Sequence, residues 1–229
     1  MVEHRAPSAL GARIWERYVS PDTPGSLASR ARAKRWSECA ERFPDLARMR
    51  VIDLGGYVRN WDAAPVRPRE LTVVNLDRAG TAGGADGART LFADACDLPP
   101  ELFGHGFDLV YSNSLIEHLG GRWRRQAFAR AVARLAPHCW IQTPSSTFPI
   151  EPHWMFPGFQ FLPISTRVRI SKRWRFGSEP MTDWPHARLV DACLSVELVS
   201  ATEMRDLFPD AELVHERVLG MSKSLIAVR

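Results

Sequence analysis

Four short apolar segments of the sequence each end in residues whose types suit the binding of a small polar ligand. In chain order, these ends carry Asp53-Leu54-Gly55-Gly56, Asp77, Asp94-Ala95 and Ser112-Asn113. Glycine lets the backbone approach a ligand closely, and a carboxylate accepts hydrogen bonds from hydroxyl or amino groups. Each feature has a structural alternative, since Gly-Gly is usually a turn and an aspartate after a strand is often a helix cap. Their order along the chain predicts a single ligand site.

Two of the seven histidines stand where a proton acceptor would be useful. His118 follows Glu117 after the fourth apolar segment, and His153 lies two residues beyond Glu151 in the loop after the fifth. Histidine is the commonest general base, so either is a candidate catalytic residue together with its glutamate. The alternatives are a structural or ligand-adjacent His118 and a His153 bonded to backbone. The four residues could also hold a divalent ion such as magnesium, although their spacing matches no metal motif, and we expect a histidine base in preference.

The elements that must position these residues follow from the hydrophobic pattern. Apolar runs bounded by turn residues predict the first five strands, and two final segments that alternate apolar and polar residues around Gly220-Met221 predict a C-terminal hairpin. The predicted strands are 50–54, 71–77, 90–92, 107–112, 139–143, 211–218 and 222–228. The predicted helices are 8–20, 26–43, 120–135, 166–176, 185–193 and 203–208. Alternating strands and helices predict an α/β protein with a mostly parallel seven-stranded sheet covered by helices on both faces and closed by the antiparallel hairpin.

We divide the chain into four segments of one domain. Residues 1–47 form an N-terminal helical segment, 48–144 the ligand-binding core, 145–199 an insertion or lid, and 200–229 a helix and hairpin that complete the sheet. The start of the insertion, to about residue 164, is an irregular stretch rich in proline, phenylalanine and tryptophan. Long irregular loops in compact domains are usually functional, so we expect an acceptor pocket or lid here.

Composition and charge narrow the class of protein. The 229 residues are 45% hydrophobic and 24% charged, with a formal net charge of +4. No stretch approaches the roughly 18 apolar residues of a membrane helix, and the first residues lack the apolar core of a signal peptide. The four cysteines are far apart, which disfavours a structural zinc site. We therefore expect a cytoplasmic protein that contacts no membrane.

Arginine carries nearly all of the positive charge, a skew typical of a high-GC, bacterial genome. A charge of +4 over this length makes nucleic acid an improbable partner. We expect the arginines at 122, 124, 125, 130 and 134 to lie on the outer face of their helix. The basic run 167–175 is either a solvated helix face or a rim that binds the acceptor.

Four segments of the sequence resemble the motifs of class I S-adenosylmethionine-dependent methyltransferases, especially the methyltransferase-11-like group. They are Val51–Gly56, Val74–Asp77, Ala93–Pro99 and Phe107–Leu119, and the C-terminal hairpin also fits. The resemblance covers residues 48–144 and 200–229 and implies a Rossmann-like fold that binds S-adenosylmethionine. One departure is that the family turn spaces small residues as GxGxG, whereas this chain has Gly55-Gly56-Tyr57. We expect an altered turn with Tyr57 near the cofactor, in preference to lost binding.

The resemblance implies a role for each matching position. Gly55 and Gly56 would pass under the methionine part of the cofactor, and Asp53 would help to hold that turn. Asp77 would bind the ribose. Adenine would contact Asp94 and Ala95, and the pocket beside the sulfonium would be lined by Ser112 and Asn113.

The sequence indicates the molecule that accepts the methyl group less directly than it indicates the cofactor. Aromatic residues around His153 suit a sugar ring, which favours O-methylation of a small polar acceptor such as a saccharide or a glycosylated metabolite. Similarity to bacterial glycan and natural-product O-methyltransferases points the same way. The alternatives are methylation of RNA or protein, and a degenerate methyltransferase fold that serves as a binding subunit. The N-terminal helical segment could cap the cofactor or form the face of a homodimer.

Overall fold

The computed structural model describes residues 26–77, 87–174, 181 and 183–229. The helix predicted at 8–20, most of the loop predicted at 78–89, and Arg175 lie outside the described residues. The described chain falls into two compact units. One comprises residues up to 35 together with 148–197, and the other comprises 36–147 with 198–229. These boundaries differ from the segments proposed from the sequence, and the first of them falls inside a helix.

The larger unit is built on a seven-stranded sheet with the order β3-β2-β1-β4-β5-β9-β8. Its strands are β1 (Arg50–Leu54), β2 (Glu70–Asn75), β3 (Arg89–Phe92), β4 (Leu109–Asn113), β5 (His138–Pro144), β8 (Glu212–Val218) and β9 (Met221–Val228). β1 to β5 pair in parallel, whereas β9 is antiparallel to both β5 and β8. The β8–β9 pairing is irregular between Glu216 and Arg217. The predicted mostly parallel sheet with a C-terminal antiparallel hairpin is confirmed.

Alternating strand residues point to two separate hydrophobic layers, as the period of two in a strand requires. Ile52 and Val110 belong to one cluster with Phe128, whereas Val51 and Leu109 belong to the other with Trp36. Because both faces of the central strands are buried, their sequences are mostly apolar. The sheet is therefore covered on both sides.

Helices supply these layers. The α-helices of the described residues are α1 (Leu27–Arg42), α2 (Gly121–Leu135), α3 (Ile164–Ser171), α4 (His186–Leu194) and α5 (Ala201–Leu207). Short 3₁₀ helices span Leu46–Arg48, Val58–Ala63, Pro100–Gly104, Ile116–His118 and Phe159–Phe161. α2 and α5 pack on one face of the sheet, and the second half of α1 packs on the other. No helix within the described ranges is both long and apolar enough to cross a membrane.

The smaller unit has its own aromatic core. Trp154, Phe159 and Leu189 are buried together, and the rings of Trp154 and Phe159 stack with centroids 4.5 Å apart. The stretch predicted as irregular contains a short hairpin of β6 (Ile150–Glu151) and β7 (Phe156–Pro157). Strands of two residues are too short to show periodicity, which is why the pattern missed them.

Candidate functional site

The Gly55-Gly56 turn after β1 packs against the side chain of Asp53. Gly55 has a positive φ of 80°, which favours glycine, and its N–H donates to the Val74 carbonyl at 2.7 Å. A Cβ at Gly56 would overlap the carboxylate of Asp53. Both glycines are therefore needed, the first for its conformation and the second for the space that Asp53 occupies.

Asp53 is a buried carboxyl group with one satisfied oxygen. It is 1% exposed, and the Trp61 indole donates to its Oδ2 at 2.8 Å. The buried Oδ1 has no hydrogen-bond partner among the described residues. Desolvation raises the pKa of Asp53 to about 7, and the bond from Trp61 opposes this. A ligand that brings positive charge to the turn would stabilise the ionised carboxylate, as a sulfonium or ammonium group does.

Side chains join this turn to the end of β2. The amide nitrogen of Asn75 donates to the carbonyls of Gly56 (2.8 Å) and Gly55 (3.2 Å), and its Oδ1 accepts from the Asp77 N–H at 2.8 Å. The Tyr57 hydroxyl donates to Oδ2 of Asp77 at 3.0 Å. The structure thus brings together the predicted residues Gly55, Gly56, Tyr57 and Asp77. Asn75 was missed, because nothing in its sequence position shows that its side chain turns back to the glycines.

The end of β3 is held by an arginine from helix α2. Arg124 Nη2 lies 2.6 and 2.8 Å from the two carboxylate oxygens of Asp94, and the Cys96 N–H donates to Oδ1 at 2.9 Å. Burial opposes ionisation of Asp94, but the bonds from Arg124 and Cys96 outweigh it and lower the pKa. Asp94 is therefore a carboxylate that already accepts three hydrogen bonds, beside the buried Ala95.

The prediction that the α2 arginines all lie on an outer face was wrong for two of them. Arg124 holds Asp94, and Arg125 is buried and bonds Glu203 at 2.8 Å. Their partners are distant in sequence, so helical periodicity could not indicate these contacts.

Two large apolar side chains are exposed at neighbouring strand ends. Leu76, directly after β2, is 58% exposed, and Phe92, the last residue of β3, is 50% exposed. Asn75 and Phe92 are paired residues in the β2–β3 register. Exposed apolar surface beside carboxylates suits a flat ring that carries polar edges. Sequence reasoning did not single out either residue.

The end of β4 is more structural than the sequence suggested. The Ser112 hydroxyl is fully buried and donates to the Leu54 carbonyl at 2.8 Å, which ties β4 to β1. Asn113 donates to the hydroxyl of Ser114 at 3.4 Å. Ser114 has a positive φ of 56° and donates to Oε1 of buried Gln142 at 3.0 Å. Such strained residues are common at functional sites, so Ser114 joins the candidates that the sequence missed.

Glu117 and His118 differ in environment although they are adjacent. Glu117 is fully buried, and the Thr143 hydroxyl donates to its Oε2 at 3.0 Å. His118 is exposed at the end of the 3₁₀ helix. Of this pair, only the histidine offers an accessible group to a substrate.

The smaller unit contains a paired glutamate and histidine. Glu151 is 2% exposed, and its Oε1 lies 2.6 Å from Nδ1 of His153, whose side chain is 25% exposed. The Trp154 N–H donates to the other carboxylate oxygen at 2.8 Å. A carboxylate at Nδ1 fixes the ring orientation and makes Nε2 the atom that exchanges a proton. The contact orients the His153 ring, and the role of His153 as a base stays a prediction.

A hydrogen bond from Trp154, the residue after His153, joins the turn that contains His153 to helix α3. The Trp154 indole donates to Ser171 at 3.0 Å, and Met155 has a positive φ of 51°. Arg167 donates to the carbonyls of Leu162 and Gln160, so this member of the basic run stabilises the unit internally. Glu117 and His118 belong to the larger unit, whereas Glu151 and His153 belong to the smaller one. A magnesium site built from these four residues stays a prediction.

Comparisons with known proteins find the fold but no close relative. No protein-family model and no curated protein matches the sequence. The chain is similar to N-methyltransferase NodS from Bradyrhizobium japonicum WM9, with TM-score 0.53, 11% identity, and coverage of 91% of this chain and 97% of that one. It is similar to magnesium protoporphyrin IX methyltransferase ChlM from Synechocystis PCC 6803 with bound SAM, with TM-score 0.54, 12% identity, and coverage of 97% and 92%.

A third match is a possible exported protein from Bordetella parapertussis, with TM-score 0.59, 16% identity, and coverage of 100% of this chain and 75% of that one. At these identities the likeness concerns the fold alone. It agrees with the strand order and the antiparallel β8–β9 pair described above. The chain therefore has the fold of the class I S-adenosylmethionine-dependent methyltransferases.

Proposed function

We propose that this protein is an S-adenosylmethionine-dependent methyltransferase. The observation that carries the proposal is the hydrogen-bonded junction between the Gly55-Gly56 turn and Asp77. It lies at the carboxyl ends of β1 and β2, where open parallel sheets bind ligands. ChlM, which has the same fold, was solved with bound SAM.

Each part of the cofactor has a chemically suitable partner in the larger unit. Asp77 would accept hydrogen bonds from the ribose, and Asp94 with Ala95 would contact the adenine edge. Leu76 and Phe92 offer apolar surface to the adenine ring. The glycine turn, with the buried Asp53 beneath it, would hold the methionine part, and Asn113 would lie toward the reacting end. When bound, S-adenosylmethionine supplies an electrophilic methyl group.

Calorimetric titration with S-adenosylhomocysteine tests this assignment. The wild-type chain is expected to bind, and Asp77→Ala is expected to bind at least about tenfold more weakly, because hydrogen bonds to a charged group contribute about 1.5–3 kcal/mol. Glu70→Ala is the matched control: it removes an exposed carboxylate at the opposite end of β2, where Glu70 pairs with Arg50. Absence of binding to the wild-type chain would contradict the proposed function.

For the acceptor, the proposal is O-methylation of a small polar molecule such as a saccharide or glycosylated metabolite. An alcohol must lose its proton as the new carbon–oxygen bond forms, so the reaction needs a base. His153 would accept this proton at Nε2, while buried Glu151 stabilises the resulting imidazolium. The methyl group goes to the acceptor oxygen, and the electron pair of the broken bond returns to sulfur.

Replacement of the base should separate chemistry from cofactor binding. We expect His153→Ala to lower kcat by about 100-fold or more, with affinity for S-adenosylhomocysteine unchanged. Glu151→Gln should lower kcat less, because the ring keeps a partner but loses the charge. His118→Ala is the comparison variant for the other candidate base. A wild-type kcat in His153→Ala would show that His153 is not the base. Assays with added magnesium and with a chelator test the predicted magnesium site separately.

A binding subunit is the second candidate function. Its support is the departure of Gly55-Gly56-Tyr57 from the GxGxG spacing of the family turn, and the contact of Arg124 with Asp94, which gives this carboxylate a protein partner. A screen with radiolabelled methyl donor discriminates the candidates. Transfer to saccharides supports the first proposal, transfer to RNA or protein supports those alternatives, and cofactor binding with no transfer to any class favours a binding subunit.

A further inference from the structure

The tyrosine at position 57 stands where related turns continue with a small residue, and the backbone explains why it is tolerated. Tyr57 is extended, with φ −124° and ψ 138°, a conformation open to any residue. The chain then enters the 3₁₀ helix Val58–Ala63. The turn is therefore completed by Gly55 and Gly56, and the next position can carry a large side chain.

That side chain reaches the carboxylate assigned to the ribose. Its hydroxyl lies 3.0 Å from Oδ2 of Asp77, and the guanidinium of Arg59 lies 4.8 Å from its ring centroid. Burial, followed by the bond to Asp77 and its charge, raises the pKa of Tyr57. The phenol consequently stays a hydrogen-bond donor through the neutral and mildly alkaline range.

Asp77 itself is exposed, and Asn75 fixes only its backbone N–H. An exposed carboxylate loses side-chain entropy when a ligand orders it, and an existing bond reduces that cost. The two carboxylate oxygens together offer about four acceptor positions, so a bond from Tyr57 is compatible with bonds from ribose hydroxyls.

We propose that Tyr57 is a positioning residue for the ribose: its hydroxyl orients the Asp77 carboxylate toward the cofactor diol and thereby sets selectivity for ribose over deoxyribose. This inference rests on the proposed cofactor. It assigns to Tyr57 a function that a glycine at the same position could not have, since glycine has no donor to offer the carboxylate.

The test compares S-adenosylhomocysteine with its 2′-deoxy and 3′-deoxy analogues by calorimetry. The wild-type chain should prefer the parent compound over at least one analogue. Tyr57→Phe should weaken binding of the parent about three- to tenfold, the factor that corresponds to the cost of ordering one side chain on binding. Affinity for the disfavoured analogue should stay unchanged, so the preference shrinks by the same factor. In an Asp77→Asn background, Tyr57→Phe should have no further effect, and Glu70→Gln serves as the carboxylate control.

The outcomes separate the two proposals. No binding of S-adenosylhomocysteine to the wild-type chain overturns the proposed function itself. Normal wild-type binding with an unchanged Tyr57→Phe overturns only the role of Tyr57. Equal weakening of all three ligands also overturns it, because this result indicates a general disturbance of the turn. Melting temperatures of the variants identify any such disturbance independently.

Discussion

The buried carboxyl group of Asp53 couples the stability of the larger unit to pH. Its pKa rises from 3.8 to about 7 on folding, mainly because burial disfavours the charged form. Between these values the folded chain holds a proton that the unfolded chain has released. The contribution of Asp53 is therefore most favourable below about pH 4, becomes less favourable as the pH rises, and is constant above about pH 7.

Asp53→Asn removes this dependence while it keeps an acceptor for Trp61. We expect the variant to gain stability relative to the wild type as the pH rises, and the gain from pH 4 to pH 8 should approach about 4 kcal/mol. Urea unfolding of both proteins at the two pH values measures it. Comparison across pH cancels the constant cost of burying an amide. A stability difference that is the same at pH 4 and pH 8 would refute a raised pKa.

At the scale of elements, the turn after β1 depends on the absence of a side chain at Gly56. Its added Cβ would overlap the Asp53 carboxylate, which the Trp61 bond holds in place. Gly56→Ala should therefore cost about 1–3 kcal/mol of unfolding free energy, as overpacking does. Gly104→Ala is the control, because a Cβ there meets nothing within 4 Å. In an Asp53→Ala background the cost of Gly56→Ala should fall markedly; full additivity in urea unfolding would show that the two residues do not clash.

The elements of the sheet were predictable because the central strands are largely apolar runs bounded by turn residues, and the two C-terminal strands alternate apolar and polar residues. β1 and β5 match their predicted ranges to within a residue at each end. The side-chain contacts were not predictable in the same way. Trp61 donates a hydrogen bond to Asp53, 8 residues earlier, and Asn75 donates one to Gly55, 20 residues earlier. The residues between donor and acceptor have no periodic pattern that would indicate either bond. Arginines at helix positions usually face solvent, which is why the contact of Arg124 with Asp94 was missed.

For the whole molecule, we propose that the fold and the choice of acceptor depend on different parts of the chain. The fold is shared with structures that are only 11–16% identical. These include an N-methyltransferase and a magnesium protoporphyrin IX methyltransferase. Sequence motifs at strand ends were therefore sufficient to predict the fold. In our proposal the acceptor depends on the smaller unit; the sequence indicated its aromatic residues and the candidates Glu151 and His153, but it did not show the stacked core or the hydrogen bond between the two side chains.

The outer strand β8 has a consequence for association between molecules. Among the described residues no strand pairs with the outer edge of β8, and the backbone groups of such an edge are the usual starting point of aggregation. Three features oppose such pairing: the charged residues Glu212, Glu216 and Arg217, the irregular pairing between the last two, and the contact of Glu212 with Arg42. A dimer of this protein would consequently not be formed by continuing the sheet across β8, and concentrated solutions should resist fibre formation through this strand.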